Sequence, residues 1–95
     1  MFIVNLTYKK SMEEVDKILP NHIEFLQKYY NQKKFICSGR KNPRVGGIIL
    51  CNADNINELN SIISEDPFNI NDIAEYNIIE FIPTKCDDSF KAFIQ

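Results

Sequence analysis

Residues 34–52 read KFICSGRKNPRVGGIILCN, and this stretch decides the fold. Lys34 to Ser38 has the β-formers of a strand. Gly39 to Gly47 holds Gly39, Pro43, Gly46 and Gly47 within nine residues, so it reads as a turn or loop. Gly46 to Asn52 is a further strand, and Ile48-Ile49-Leu50-Cys51 has the unbroken apolar run of a well-covered central one. Two strands joined by so short a connection pair with each other. The question is then what flanks the pair on either side.

On the N-terminal side, Phe2, Val4, Leu6 and Tyr8 alternate with Ile3, Asn5, Thr7 and Lys9, the period of a strand. Ser11-Met12-Glu13-Glu14 follows with Ser at a cap position and Glu three residues on. A short helix is expected to about Leu19, then a break or kink near Leu19-Pro20, because proline disrupts a helix interior. A second helical segment then runs to about Gln32. Its inward stripe is Ile18, His22, Phe25, Leu26, Tyr29 and Tyr30.

On the C-terminal side, Asn55-Ile56-Asn57-Glu58 repeats the cap pattern. The helix it opens carries Ile56, Leu59, Ile62 and Ile63 on one face. It is expected to end near Glu65-Asp66, since Pro67 disfavours helical geometry just before it. Residues 67–72 read as loop and Ile73 to Pro83 as a long strand.

The order is β-α-β-β-α-β, which gives an α+β, ferredoxin-like fold. Two helices cover one face of a four-stranded antiparallel sheet. The strands are apolar on both sides, so the other face needs a cover. A second copy of the chain is the simplest one, a two-fold homodimer or a larger assembly built on it. Residues 1–84 form the domain. Residues 85–95 form a C-terminal tail that docks on the partner or on its own sheet edge.

Composition limits what such a domain does. The chain has 95 residues, 44% hydrophobic and 25% charged, which suits one soluble domain and excludes disordered or fibrous classes. Its net charge is −2 and its pI near 5.3. That argues against a nucleic-acid partner, which favours a basic face. Lys9, Lys10, Lys33, Lys34, Arg40, Lys41 and Arg44 read as solvated loop charges. No apolar run approaches the ~18 residues of a membrane span. The opening MFIVNLTYKK has its charges after its apolar residues, the reverse of a signal peptide. The expected location is the cytoplasm. Cys37, Cys51 and Cys86 are odd in number and lack C-x-x-C spacing, so they suggest neither disulfides nor a zinc site.

Three features carry potential chemistry. His22 is the only histidine, and it falls on the apolar stripe of its helix. It is either a satisfied core residue or one that lines a cavity, where imidazole is the natural acid or base near neutral pH. Asp66 follows the apolar face of the later helix, at an end where a carboxylate opposes the dipole. It is either a turn residue before proline or the orienting partner of His22. In that second role it would fix the tautomer and leave the other ring nitrogen to take a proton. The turn from Ser38 to Gly47 is either a plain hairpin or an anion site. In the latter, Gly39 allows close backbone approach and Arg44 clamps a carboxylate or phosphate. Ser38 offers a hydroxyl, and Phe68 an apolar wall beside Asp66.

These residues, in this order, resemble the YciI-like (YCII-domain) family. The matching stretches are Phe2-Ile3-Val4, Asn21-His22-Ile23-Glu24-Phe25-Leu26, Phe35-Ile36-Cys37-Ser38-Gly39, Asn42-Pro43-Arg44-Val45-Gly46-Gly47 and Glu65-Asp66-Pro67-Phe68. The resemblance spans about residues 1–84. It implies a ferredoxin-like dimer of the α+β-barrel kind, with an active site on a histidine and an aspartate, here His22 and Asp66. One branch of the family removes chloride from a chlorinated hydroxyhydroquinone. This chain departs from its relatives at Arg40, a position often held by proline.

Two functions follow. The first is a small dimeric enzyme with a His22–Asp66 acid/base pair. It would act on a small polar or anionic metabolite by elimination, isomerisation or hydrolysis. Ser38, Gly39, Arg44 and Phe68 would bind the substrate, with no metal or organic cofactor implied. The alternative is a non-catalytic module that binds a small ligand in the same place.

Overall fold

The computed structural model describes residues 1–94. The chain order is β1 (Phe2–Tyr8), α1 (Met12–Asn31), β2 (Phe35–Arg40), β3 (Gly46–Cys51), α2 (Ile56–Ile63), α3 (Pro67–Ile70) and β4 (Ala74–Glu80). A 3₁₀ turn over Asp88–Phe93 follows. The strands form one antiparallel sheet in the order β2-β3-β1-β4. This is the ferredoxin-like arrangement, with the first and third strands central.

Phe2, Val4 and Leu6 of β1 point to one face and are almost fully buried. On that face Val4 is flanked by Ile49 and Ile78, and Leu6 by Gly47 and Tyr76. The same core takes in Val15, Phe25 and Tyr29 from α1, Leu59 and Ile62 from α2, and Phe68 from α3. All three helices therefore bury their apolar sides against one sheet face. The opposite face carries Ile3, Ile48, Leu50 and Ile79, with Ile48 37% and Ile79 51% exposed.

α1 is one helix, and the expected break at Pro20 is absent. Pro20 has no N–H for the carbonyl of Asp16, but both residues are exposed, so water can serve that carbonyl. Meanwhile the stripe Val15, Ile18, His22, Phe25, Tyr29 keeps its phase through the proline and packs against the core on both sides of it. Continuous packing wins over one missing rung. The Ser11 hydroxyl accepts from the Glu14 amide at the start. At the end, Lys33 turns to φ 61°, with Lys34 N–H on the Tyr29 carbonyl and Lys33 N–H on that of Tyr30. This left-handed C-terminal motif closes the helix.

The turn between β2 and β3 is shorter than expected. Gly39 and Arg40 belong to β2, because Arg40 still has Gly47 opposite it. β4 is also shorter than Ile73–Pro83. β1 starts at Phe2, and beyond the Phe81 amide, which donates to the Met1 carbonyl, no partner strand remains. Residues 67–72 are not all loop, since they hold α3. At Gly46 a Cβ would stand 1.8 Å from the Leu6 carbonyl oxygen, so only glycine lets β3 meet β1 there. In the tail, the Asn52 side-chain amide donates to the Phe93 carbonyl at 3.2 Å. No helix among the described residues is long and apolar enough to cross a membrane.

Candidate functional site

His22 and Asp66 meet. Residue 22 sits mid-way along α1 on its buried side, and Asp66 lies in the connection after α2. His22 Nδ1 is 2.7 Å from Asp66 Oδ1. Both side chains are enclosed: His22 is 8% exposed and Asp66 0%. A carboxylate this deep must be fully hydrogen-bonded, and three donors converge on it. His22 Nδ1–H and the Phe68 amide (3.0 Å) reach Oδ1, while the Tyr76 hydroxyl (2.5 Å) reaches Oδ2.

Asp66 does not end a helix, as its sequence position suggested, but starts one. It is the N-cap of α3, with Pro67 in the first turn. The carboxylate thus faces free amides and the favourable end of the dipole, and the electrostatic objection disappears. The cap also places the ring of Phe68. That ring stacks on the His22 imidazole with centroids 4.1 Å apart and planes 11° from parallel. Glu65, one residue earlier, bonds to Lys28 and Tyr29 of α1. The Glu65-Asp66 pair is therefore fixed to α1 at points about two turns apart. Lys28, then Tyr29, holds the Glu65 carboxyl below the usual carboxylate range.

Burial, and next the adjoining Asp66 charge, push the Tyr76 hydroxyl far above the usual phenol range. Tyr76 therefore keeps its proton near neutral pH and donates to the carboxylate. Alternation along β4 marks it as one of a row of strand residues, but nothing in the chain names the carboxylate opposite.

A cleft of about 170 Å³ opens beside the imidazole. Leu19, Ile23 and Leu26 of α1 form one wall, and Leu6 and Ile49 form the sheet floor. Ser38, Gly39, Arg40 and Phe68 also line it. The Ser38 hydroxyl is 2.7 Å from that of Tyr30. His22 Nε2 has no hydrogen-bond partner among the described residues and is not among their sealed, orphaned polar atoms. Four of the expected site residues, His22, Ser38, Gly39 and Phe68, thus share one cleft, with Asp66 directly behind the imidazole. Arg44 is not in it. Its guanidinium donates to Asp16 of α1 at 2.8 Å, because the shorter turn sets residue 44 over that helix. The cation in the cleft is Arg40, carried onto the helix side by the extension of β2. Among the described residues, no group of three or more His, Cys, Asp and Glu could hold a metal ion.

Comparison with known proteins gives a family and a fold. The family model described as "YCII-related domain" matches residues 1–82. No curated protein matches the chain. Among solved structures, it is similar to 5-chloro-2-hydroxyhydroquinone dehydrochlorinase from Burkholderia phenoliruptrix AC1100, in complex with 2,5-dihydroxybenzoquinone. The TM-score is 0.73 at 14% identity, covering 84% of this chain and 91% of that one. At that identity the likeness concerns the fold.

Proposed function

Because the chain belongs to the family of YCII-related domains, we propose that it is a small enzyme in which His22 is the general acid and base and Asp66 its orienting partner. The observation that carries this reading is the 2.7 Å contact between His22 Nδ1 and Asp66 Oδ1. With Nδ1 donating to the carboxylate, Nε2 is the ring nitrogen left to exchange a proton with a molecule in the cleft. The imidazolium so formed is stabilised on one side by the Asp66 charge and on its face by the stacked Phe68 ring. The apolar walls limit water, which strengthens both effects. Elimination, isomerisation and hydrolysis all begin with such a transfer. The ligand named with the dehydrochlorinase makes hydroxylated rings the first substrates to try.

The test is incubation in D₂O with a panel of hydroxylated rings and enolisable acids, read by mass and proton NMR. Deuterium uptake or elimination with wild type, reduced about 10²–10⁴-fold in folded His22→Gln, supports the proposal. Equal rates in the two proteins refute it. Saturable binding with unchanged ligand mass identifies instead a non-catalytic module.

The reading includes a homodimer. The sheet face away from the helices presents Ile48, Ile79 and, just past β4, Phe81 at 38% exposure. A second copy that brings the same face is the cover of matching chemistry. Light scattering coupled to size exclusion should give twice the mass of 11.1 kDa.

A further inference from the structure

We propose that Arg40 is the anion-binding residue of the cleft and that it selects small, single-ring or ring-sized organic acids carrying one carboxylate or comparably charged oxygen group. This deepens the acid/base reading above and rests on the cleft being the active site.

The chain has two arginines, Arg40 and Arg44, and the structure gives them different tasks. Arg44 is committed to Asp16. Arg40 has no carboxylate partner among the described residues, yet it lines the cleft with His22. No other lysine or arginine lines that cleft. Cross-strand register explains how it gets there. Arg40, Gly47, Leu6 and Tyr76 form one row across the four strands, all on the helix side. The neighbour of Arg40 in that row is glycine, so no side chain stands between the arginine stem and the floor at Leu6. An arginine without a carboxylate partner supplies a planar fork of donors suited to a carboxylate.

The rest of the lining defines the body of the ligand. Leu6, Leu19, Leu26 and Ile49 are apolar, and the imidazole–Phe68 stack lies flat beside them. At about 170 Å³ the cleft is smaller than the roughly 300–1,000 Å³ of sites for larger ligands. One cation calls for one anionic group, and flat apolar walls call for a compact, flat body.

Benzoate and its uncharged analogue benzamide are the probes, titrated while the His22 ring and backbone amides are followed by NMR. Benzoate should shift His22 and Ser38 saturably and bind at least about tenfold more tightly than benzamide. Arg40→Gln should weaken benzoate by about tenfold or more and leave benzamide unchanged, whereas Arg44→Gln should alter neither. Equal binding of the two probes, no saturable shift at millimolar benzoate, or full affinity in Arg40→Gln overturns the proposal. If benzoate binds through Arg40 and the His22 ring does not respond, the anion site stands and the acid/base reading of the cleft fails.

Discussion

Tyr76 donates its hydroxyl proton to Asp66 Oδ2, the oxygen that His22 leaves unused, at 2.5 Å. Two side chains from different elements, α1 and β4, thus hold one carboxylate from opposite ends, with the Phe68 amide as the third donor. Tyr76→Phe removes a donor from a fully buried charge and should cost about 1–3 kcal/mol, measured by urea unfolding. Tyr76 is a positioning residue, so the variant should also change the ¹⁵N shifts of the His22 ring. Unaltered ring shifts would leave Tyr76 a purely structural role.

Asp66→Asn keeps the size of the side chain and removes its charge. The single histidine makes the imidazole signal self-assigning. In wild type the neutral ring should be the Nδ1–H tautomer. In Asp66→Asn the ring should populate the Nε2–H form, and turnover should fall by about 10²–10⁴. The same tautomer in both proteins would mean that the carboxylate does not orient the ring.

Glu65 links stability to pH. Its folded-state pKa is lowered, first by Lys28 and then by Tyr29. The stability it contributes is therefore present above the ordinary glutamate value and is lost as pH falls through the lower, folded-state one. Glu65→Gln should be less stable than wild type at neutral pH. The gap should close as the solution is acidified below 4.5. These side chains are half exposed, so the effect is at most about 1 kcal/mol. A gap that persists unchanged into acid would contradict this assignment.

Pro20→Ala restores a donor for the Asp16 carbonyl inside a continuous helix. Stability should rise by about 1–3 kcal/mol, visible as a melting temperature several degrees higher. A lower melting temperature would show that the proline is favoured by its surroundings.

The order of elements, both helix caps and the facing of β1 were legible, because they depend on period and on local chemistry. His22 was legible as the one polar residue on an apolar stripe. Asp66 was found, but at the wrong kind of helix end. Asp followed by Pro is also the signature of a helix start, and the preceding apolar face of α2 obscured it. Arg40 stands out in the sequence as a departure from the family's proline, but Gly39 reads as the end of the strand and so puts Arg40 in the turn. Extending the alternation two residues past Ser38 would have put Arg40 on the helix side. Tyr76 and Tyr30 could not be read at all as site residues. Their partners, Asp66 and Ser38, are set by through-space packing, which one sequence does not encode in any local pattern.

The two donors on Asp66 Oδ1 have a consequence of their own. The imidazole N–H and the Phe68 amide share that single oxygen. That amide caps the short helix whose Phe68 ring lies flat against the imidazole. One atom thus serves both the orientation of the imidazole and the start of the helix that carries its stacked neighbour, so any change at that oxygen is felt in both places at once.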